Sequence, residues 1–302
     1  MKLLVLGGGD SPEREISLRS AKTVAKAARR AGFEVQEADP RDEPRILDGL
    51  LGDTIIFPIL HGAYGEDGGI QKEFENRGLP FLGSDSGSSA KCFDKWMTRQ
   101  KLTEGGIQMA PAVLVSRDTY PNQALSEKPH VLKVQRGGSS IGTIIHLESG
   151  KISDSQLDEL FGLDRNALLE EYIEGIEVTV PVLDQRALPV VEIVPPIGEL
   201  FDYDNKYNGR TQELSPPPDV SQDLQRKVQW LAEQAHKTMG CRHLSRVDVI
   251  IDKQQEPFVL EINTMPGLTD ESLYPKAAAV ADMTMPQLVA KFAELVKRDY
   301  NL

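Results

Sequence analysis

Short apolar runs alternate with amphipathic stretches at the start of the chain, a pattern typical of strands alternating with helices. Residues 2–7 (KLLVLG) predict a first strand, and residues 17–31 predict a helix that ends at Gly32. Further strands are predicted at 33–37, 54–60 and 79–82, with a helix at 69–77. Because strands that alternate with helices usually form parallel sheets, we expect an N-terminal α/β domain with a parallel sheet.

The pattern changes at residues 83–87, where GSDSG separates the first domain from a region richer in hairpins. The helices predicted beyond this point are 88–104, 154–161, 221–239 and 286–297, and the strands include 112–116, 130–135, 168–173 and 187–194. The polar segment 199–218 is too long for a simple connection. Loops of that length in compact domains are usually functional or disordered.

Two apolar runs near the C-terminus, VDVII and FVLEI, flank a polar turn and predict a β-hairpin. Side chains two apart on a strand share a face, so Arg246 and Asp248 point the same way, as do Glu261 and Asn263. Adjacent strands bring these faces together. Buried charges of this kind pair with each other or bind metal, and oxygen ligands suit Mg²⁺ or Mn²⁺. The hairpin alone leaves both interpretations open.

A glycine turn, GGGDSPEREIS at 7–17, follows the first strand. It resembles a dinucleotide-binding fingerprint, but Pro12 occupies the third glycine position, so the match fails. Glu13 is suited either to hold a substrate ammonium group or to complement the dipole of the following helix. Ser17 is a candidate N-cap of that helix.

A second glycine-rich loop, HGAYGEDGG at 61–69, follows the third strand, where ligands bind in open α/β sheets. His61 either contacts a carboxylate or phosphate of a ligand or caps the strand. Glu66 and Asp67 are expected to cap the next helix.

The loop KVQRGGSSIG at 133–142 combines cations, glycines and serines, so its backbone N–H groups are suited to surround phosphate oxygens. The alternative is a flexible surface turn. Lys133 lies in an apolar strand, where a lysine needs a partner, and a phosphate is a candidate. The segment 168–178 (LLEEYIEGIEV) either contacts the adenine and ribose of a nucleotide or forms a solvated charged face.

Composition narrows the class of protein. The 302 residues carry a formal net charge of −12, which argues against a large nucleic-acid surface or an anionic membrane surface. The two cysteines, Cys92 and Cys241, form no CxxC motif, which fits a reducing compartment and excludes a cysteine-rich zinc site. The N-terminal apolar run is too short for a signal peptide or a membrane span, so we expect a cytoplasmic protein.

Taken together, the motifs resemble those of the D-alanine–D-alanine ligase family of the ATP-grasp superfamily. The segments that carry the resemblance are GGGDSPEREISLRS, ILHGAYGEDGGIQ, LKVQRGGSSIG, EEYIEGIEVTV, DYDNKY, RVDVIID and LEINTMPGLTDESL. It implies an α/β fold of three domains, with ATP held between the central and C-terminal domains. The implied domains are a Rossmann-like domain at 1–84, a central ATP-grasp subdomain at 85–169, and a C-terminal subdomain at 170–302 with a lid at 199–218.

The resemblance also implies the residues of the ATP site. Those for the phosphates are Lys95, Lys133 and Lys206, with Ser140 in the same nucleotide site. The adenine is expected to contact Glu170, Glu171 and Ile173, and the ribose is expected to contact Glu177. Those for two Mg²⁺ ions are Asp248, Glu261 and Asn263, with Mn²⁺ as an alternative ion and K⁺ as a candidate activator.

For the amino acids, the resemblance implies that Glu13 holds the ammonium group of the first D-alanine, with His61 near its carboxylate. It assigns the oxyanion to Arg246 and the backbone of Gly267, and the carboxylate of the second D-alanine to Ser272 and Leu273. The resemblance also implies that Glu13, Ser139 and Tyr207 form a hydrogen-bonded set that closes the lid, and it makes Ser139 aided by Tyr207 one candidate base. The other is phosphate, which would take the proton of the incoming zwitterion.

The chain departs from the family pattern at Val134, where proline is usual, and at Gly137, where glutamate is frequent. In this family, tyrosine at the position of Tyr207 is found in dipeptide ligases and phenylalanine in ligases that accept D-lactate. The resemblance therefore favours a second D-alanine over D-lactate as the second substrate. The rivals are an ATP-grasp ligase with another second substrate (D-serine, D-lactate or a secondary-metabolite amine), a non-catalytic nucleotide-binding regulator, and a Rossmann-type dehydrogenase. The family expectation for assembly is a homodimer.

Overall fold

The computed structural model describes residues 1–50, 52–138, 141–147, 152–196 and 210–302. Within these ranges the strands form three sheets, and each is built from a continuous part of the chain. Residues from all three parts line a common cavity.

The first sheet is parallel, as the alternating pattern predicts. Its strands are β1 (Lys2–Leu6), β2 (Glu34–Ala38) and β3 (Thr54–Pro58), in the order β2-β1-β3. Helices α1 (Arg14–Arg30) and α2 (Gly69–Arg77) cover its two faces, because Leu3 and Val5 pack in the core that includes α1, and Leu4 and Leu6 pack with α2. Strand β1 is therefore apolar at both alternating positions.

Two predictions about the helices and strands of this part were wrong. Helix α1 begins at Arg14 with Glu13 as its N-cap, so Ser17 lies inside the helix; its hydroxyl donates to the carbonyl of Ile59 and accepts from the N–H of Gly8. The predicted strand at 79–82 is reduced to a single parallel bridge between Ile56 and Phe81. Pro80, in the middle of that segment, has no N–H to donate to a ladder.

The second sheet is antiparallel. Its strands are β4 (Ala112–Ser116), β5 (His130–Val134), β6 (Thr143–His146) and β7 (Asn166–Glu171), in the order β4-β7-β5-β6. It is accompanied by α3 (Ser86–Phe93), α4 (Lys95–Glu104), α5 (Asp154–Leu163) and two short 3₁₀ turns at Tyr120–Asn122 and Ala124–Glu127. The single helix predicted at 88–104 is two helices, because Asp94 is extended and its carboxylate caps α4 by accepting from the N–H of Met97 at 3.0 Å.

The third sheet is also antiparallel and has one face on the core and one on the cavity. Its strands are β8 (Gly175–Leu183), β9 (Arg186–Ala187), β10 (Val191–Val194), β11 (Gln212–Leu214), β12 (Leu244–Asp252) and β13 (Pro257–Asn263). They run in the order β11-β10-β8-β12-β13, with β9 beside β8. Val247 and Val249 pack with helix α6 (Gln222–Met239), and the residues that alternate with them, Arg246 and Asp248, face the cavity.

The last two helices join the third sheet to the first. Helices α7 (Leu273–Val280) and α8 (Met285–Tyr300) follow β13, and Phe292 of α8 packs edge-on against Phe57 of β3, with ring centroids 6.4 Å apart.

Packing also brings together two distant cysteines, since the Sγ atoms of the buried thiols Cys92 and Cys241 lie 3.8 Å apart.

Candidate active site

A cavity of about 500 Å³ lies where the three parts of the chain meet. The predicted site residues that line it are Glu13, His61, Lys95, Glu170, Arg246, Asp248, Glu261, Asn263, Gly267, Ser272 and Leu273. Most of these residues are far apart in sequence, so their convergence is a property of the fold. Ser139, Ser140, Lys206 and Tyr207 lie outside the residues that the structure describes.

The β12–β13 hairpin has the facing arrangement expected from its sequence. Arg246 is opposite Asn263 and Asp248 is opposite Glu261 in the antiparallel register. Asp248 accepts from the Nε and Nη2 atoms of Arg246 at 2.9 and 2.7 Å, and from the hydroxyl of Thr179 at 2.5 Å. The ion pair of the first interpretation is thus present, and it leaves Glu261 and Asn263 beside it on the cavity wall.

The oxygen atoms on this wall are of the kind that a hard cation prefers as ligands. Asp248, Glu261 and Asn263 offer carboxylate and amide oxygens, which suit Mg²⁺. Among the described residues no three His, Cys, Asp or Glu side chains cluster closely enough to hold a metal, so this set, with two carboxylates, needs further oxygens from a ligand. Triphosphate oxygens meet that need. The residues present therefore fit a nucleotide-bound Mg²⁺ better than a metal held by protein alone.

Lys133 has a protein partner in the structure. Its Nζ lies 2.8 Å from a carboxylate oxygen of Glu170 on the neighbouring strand β7. Burial disfavours the charged form, but the carboxylates of Glu170 and Glu261 outweigh burial, and the pKa of Lys133 is raised. A buried cation is thus kept charged beside the cavity.

Lys95 lies at the first position of α4, beside the glycine loop. Its Nζ donates to the carbonyl of Gly137 at 2.6 Å, and its backbone N–H donates to the carbonyl of Gln135 at 2.9 Å. The break between α3 and α4 at Asp94 therefore ties the loop after β5 to the N-terminus of a helix, where anions are favoured.

Glu13 is enclosed by two glycine loops. It is both the N-cap of α1 and a cavity residue, so the dipole and ligand interpretations are compatible. A Cβ added at Gly62 or at Gly138 would lie 3.0 or 3.1 Å from its Oε2 atom. A side chain at either position would crowd the carboxylate, and Gly62 also has a positive φ of 74°, which favours glycine.

Glu66 is a cavity residue that the sequence assigned to the wrong role. It does not cap α2; Asp67 accepts from the N–H of Gly69, whereas the Oε2 atom of Glu66 accepts from the N–H of Gly62 at 2.6 Å. Burial and the nearby carboxylate of Glu13 raise the pKa of Glu66 well above its usual value. Its place in a glycine loop at the end of a strand was the available signal.

His61 is buried and lines the cavity with an Nε2 atom that has no hydrogen-bond partner among the described residues. Burial lowers its pKa to about 4, so the imidazole is neutral near pH 7. A buried polar atom without a partner is costly, and the cavity that His61 lines gives a ligand access to this atom.

Ser272 is the N-cap of α7, and its Oγ accepts from the N–H of Thr269 at 3.1 Å. A Cβ at Gly267 would lie 2.9 Å from that Oγ, so the turn before α7 is also tightly packed. Gly267, Ser272 and Leu273 therefore form one end of the cavity.

Four described residues expected to contact the nucleotide are not among those lining the cavity: Lys133, Glu171, Ile173 and Glu177. Glu171 is exposed, since it alternates with the buried Glu170 along β7, and its N–H donates to the carbonyl of Pro111. Glu177 lies on β8 opposite Ile193, which does line the cavity.

Comparison with known proteins decides the family. The model of the D-Ala D-Ala ligase C-terminus matches residues 103–294. A D-alanine–D-alanine ligase of Mannheimia succiniciproducens is 38% identical over 301 residues, which cover 97% of each chain. One of Methylacidiphilum infernorum is 39% identical over 297 residues, which cover 97% of this chain and 94% of the relative. This chain belongs to the D-alanine–D-alanine ligase family.

Solved structures agree with this membership. The crystal structure of the D-alanine–D-alanine ligase from Bacillus anthracis superposes with a TM-score of 0.86 at 27% identity, covering 100% of this chain and 99% of that one. The same ligase complexed with ATP superposes with a TM-score of 0.83 at 25% identity and the same coverage. The expected α/β ATP-grasp fold is confirmed by these matches. No helix in the described ranges combines the length and apolar character needed to cross a bilayer.

Proposed function

We propose that this chain is an ATP-dependent D-alanine–D-alanine ligase that makes the dipeptide for peptidoglycan precursors. The observation that carries the proposal is the cavity wall on which Arg246, Asp248, Glu261 and Asn263 share one face. A ligase of this family needs oxygen ligands and a positively charged side chain at the point where a phosphoryl group is transferred. The names of the relatives support the same activity.

The first chemical step is the phosphorylation of a D-alanine carboxylate by ATP, because a free carboxylate is a poor acylating agent. We assign the phosphates to Lys95, which lines the cavity, and to Lys133, which forms an ion pair with the cavity residue Glu170. The mostly buried Glu170 is assigned to the adenine edge. We assign Mg²⁺ to Asp248, Glu261 and Asn263, where it would neutralise charge on the phosphates. Lys206, Ser140, Glu171, Ile173 and Glu177 complete the nucleotide assignment.

The second step is the attack of the other D-alanine's amine on the acyl phosphate, which releases phosphate. Glu13 holds the ammonium group of the first D-alanine and His61 lies near its carboxylate. Arg246 and the Gly267 N–H stabilise the oxyanion, since fixed donors aimed at developing charge lower the barrier. Ser272 and Leu273 receive the second carboxylate. Ser139 and Tyr207 are the candidate pair for the amine proton and for lid closure, which excludes water.

The proposal extends to properties of the whole protein. The domains are assigned to 1–84, 85–169 and 170–302, with the segment 199–218 as the lid. The protein is assigned to the cytoplasm and to a homodimer, which light scattering of the purified chain would test. Mn²⁺ as a substitute and K⁺ as an activator are tested by adding each salt to the assay.

The deciding experiment measures phosphate release from ATP with D-alanine, L-alanine, D-serine and D-lactate in parallel. We expect release with D-alanine, with D-alanyl-D-alanine and ADP as the other products. If release requires D-serine or D-lactate in addition to D-alanine, that compound and not D-alanine is the second substrate. No release with any amino acid, in a protein that binds ATP, would contradict ligase activity.

A further inference from the structure

An ion pair lies on the cavity wall beside the assigned place of the second carboxylate. Lys276 of α7 and Glu213 of β11 both line the cavity, and the ammonium group of Lys276 contacts the carboxylate of Glu213. Glu213 pairs in register with Ile193, another cavity residue, so it faces the same side of the sheet. The side chain of Glu213 is 16% exposed and that of Lys276 is 41% exposed, so the lysine remains accessible.

Lys276 lies one turn beyond Ser272. Its N–H donates to the carbonyl of Ser272 at 3.2 Å, which places the lysine near the N-terminal end of α7. A cation at that end opposes the helix dipole, so the stability of α7 does not explain it. The same cavity contains the Nε2 atom of the buried His61, which has no hydrogen-bond partner in the part of the chain that the structure describes and so independently indicates a polar ligand. The charge of Lys276 therefore has a use outside its own helix.

We propose that Lys276 is a specificity-determining residue for the second substrate, whose carboxylate it attracts in competition with the carboxylate of Glu213. The inference rests on the ligase function proposed above. It adds to that function the side chain that favours an acceptor with a negatively charged end. The chemical class selected is an α-amino acid with a free carboxylate, and the class rejected is its neutral amide or ester.

The two partners of the ion pair have opposite expected effects. Without Lys276, the carboxylate of Glu213 faces the incoming acceptor carboxylate and repels it. Without the charge of Glu213, Lys276 is left to attract the acceptor alone. A pair that served only to tie β11 to α7 would instead respond alike to the loss of either charge.

The test is a competition between two acceptors. Wild-type protein and the variants Lys276→Met, Lys276→Arg and Glu213→Gln receive ATP, D-alanine and D-alaninamide. The amide has no carboxylate and serves only as acceptor. Mass spectrometry measures the ratio of dipeptide to dipeptide amide, which does not depend on the shared donor step. Lys227→Met is the matched control, because the ion pair of Lys227 with Glu256 is exposed and outside the cavity.

We expect Lys276→Met to lower the dipeptide-to-amide ratio roughly fivefold, the size of a partly exposed charge contact of about 1 kcal/mol. Lys276→Arg and Lys227→Met should keep the wild-type ratio, and Glu213→Gln should keep or raise it. An unchanged ratio in Lys276→Met, or a fall in both Lys276→Met and Glu213→Gln, would overturn the inference. Failure of the wild type to form any dipeptide would overturn the proposed function itself.

Discussion

Single side chains in the cavity carry charges that are matched in pairs. Arg246 neutralises Asp248, and Lys133 neutralises Glu170, each at 2.7 or 2.8 Å. A buried charge left without its partner is strongly destabilising, so neither pair tolerates loss of one member without consequence. Glu261 has no ion pair within 4.0 Å among the described residues, which makes it the position where function and folding are best separated.

Glu261→Ala is therefore expected to leave the fold intact and to reduce D-alanine-dependent phosphate release on the order of 1,000-fold. The physical reason is the loss of a carboxylate assigned to Mg²⁺, whose charge stabilisation is worth several kcal/mol. Circular dichroism checks the fold and a coupled phosphate assay checks turnover. Wild-type turnover in a folded Glu261→Ala protein would refute the metal assignment.

Glu66 contributes through one hydrogen bond to the loop that encloses Glu13. Replacement by leucine leaves the buried N–H of Gly62 without an acceptor, which costs about 1–3 kcal/mol in the free energy of unfolding. Replacement by glutamine retains a side-chain oxygen and avoids the buried charge, so we expect stability at least equal to wild type at pH 7. Denaturant titration measures both, with exposed Glu104→Leu as the control. Equal stability of Glu66→Leu and Glu66→Gln would contradict this role.

Between elements, His243 joins three parts of the chain. Its Nδ1 accepts from the N–H of Gly83 at 3.0 Å, and its Nε2 donates to Asp299 of α8, also at 3.0 Å. The bond from Gly83 requires a neutral ring, because a protonated Nδ1 has no lone pair to accept with. Burial lowers the pKa of His243 to about 4, so acid conditions act on this junction.

The unfolded chain binds a proton at His243 near pH 6.5, and the folded chain only near pH 4. The contribution of the neutral histidine is therefore complete above pH 6.5 and falls by up to about 3 kcal/mol as the pH drops to 4. The test compares the free energies of unfolding of wild type and His243→Asn from pH 4 to 8; asparagine tolerates the positive φ of 58°. A difference that stays constant across this range would contradict the prediction.

The elements show why some of the site was predictable. Alternation along VDVII and FVLEI determines which side chains of the hairpin meet, so the facing of Asp248 and Glu261 followed from local pattern. The partner of Lys133 and the contact of Cys92 with Cys241 depend on packing between distant segments, which no local pattern reports. Glu66 was misassigned because an acid ahead of a helix looks the same in sequence whether it caps the helix or enters a cavity.

At the scale of the whole molecule, the cavity is lined by residues from all three sheet-forming parts, so a bound nucleotide would contact parts of the chain that are distant in sequence. A ligand that binds only the folded state stabilises it by about 2.7 kcal/mol at a concentration of 100 times its Kd. We expect ATP with Mg²⁺, without D-alanine, to raise the Tm of the wild type in proportion to this gain. EDTA should reduce that rise, because Asp248, Glu261 and Asn263 need a cation to hold the phosphates.

Glu261→Ala should show the smaller rise with or without EDTA, and exposed Glu256→Ala should behave like wild type. A Tm shift that is equal with and without Mg²⁺ in the wild type would mean that these oxygens do not hold a metal against the nucleotide.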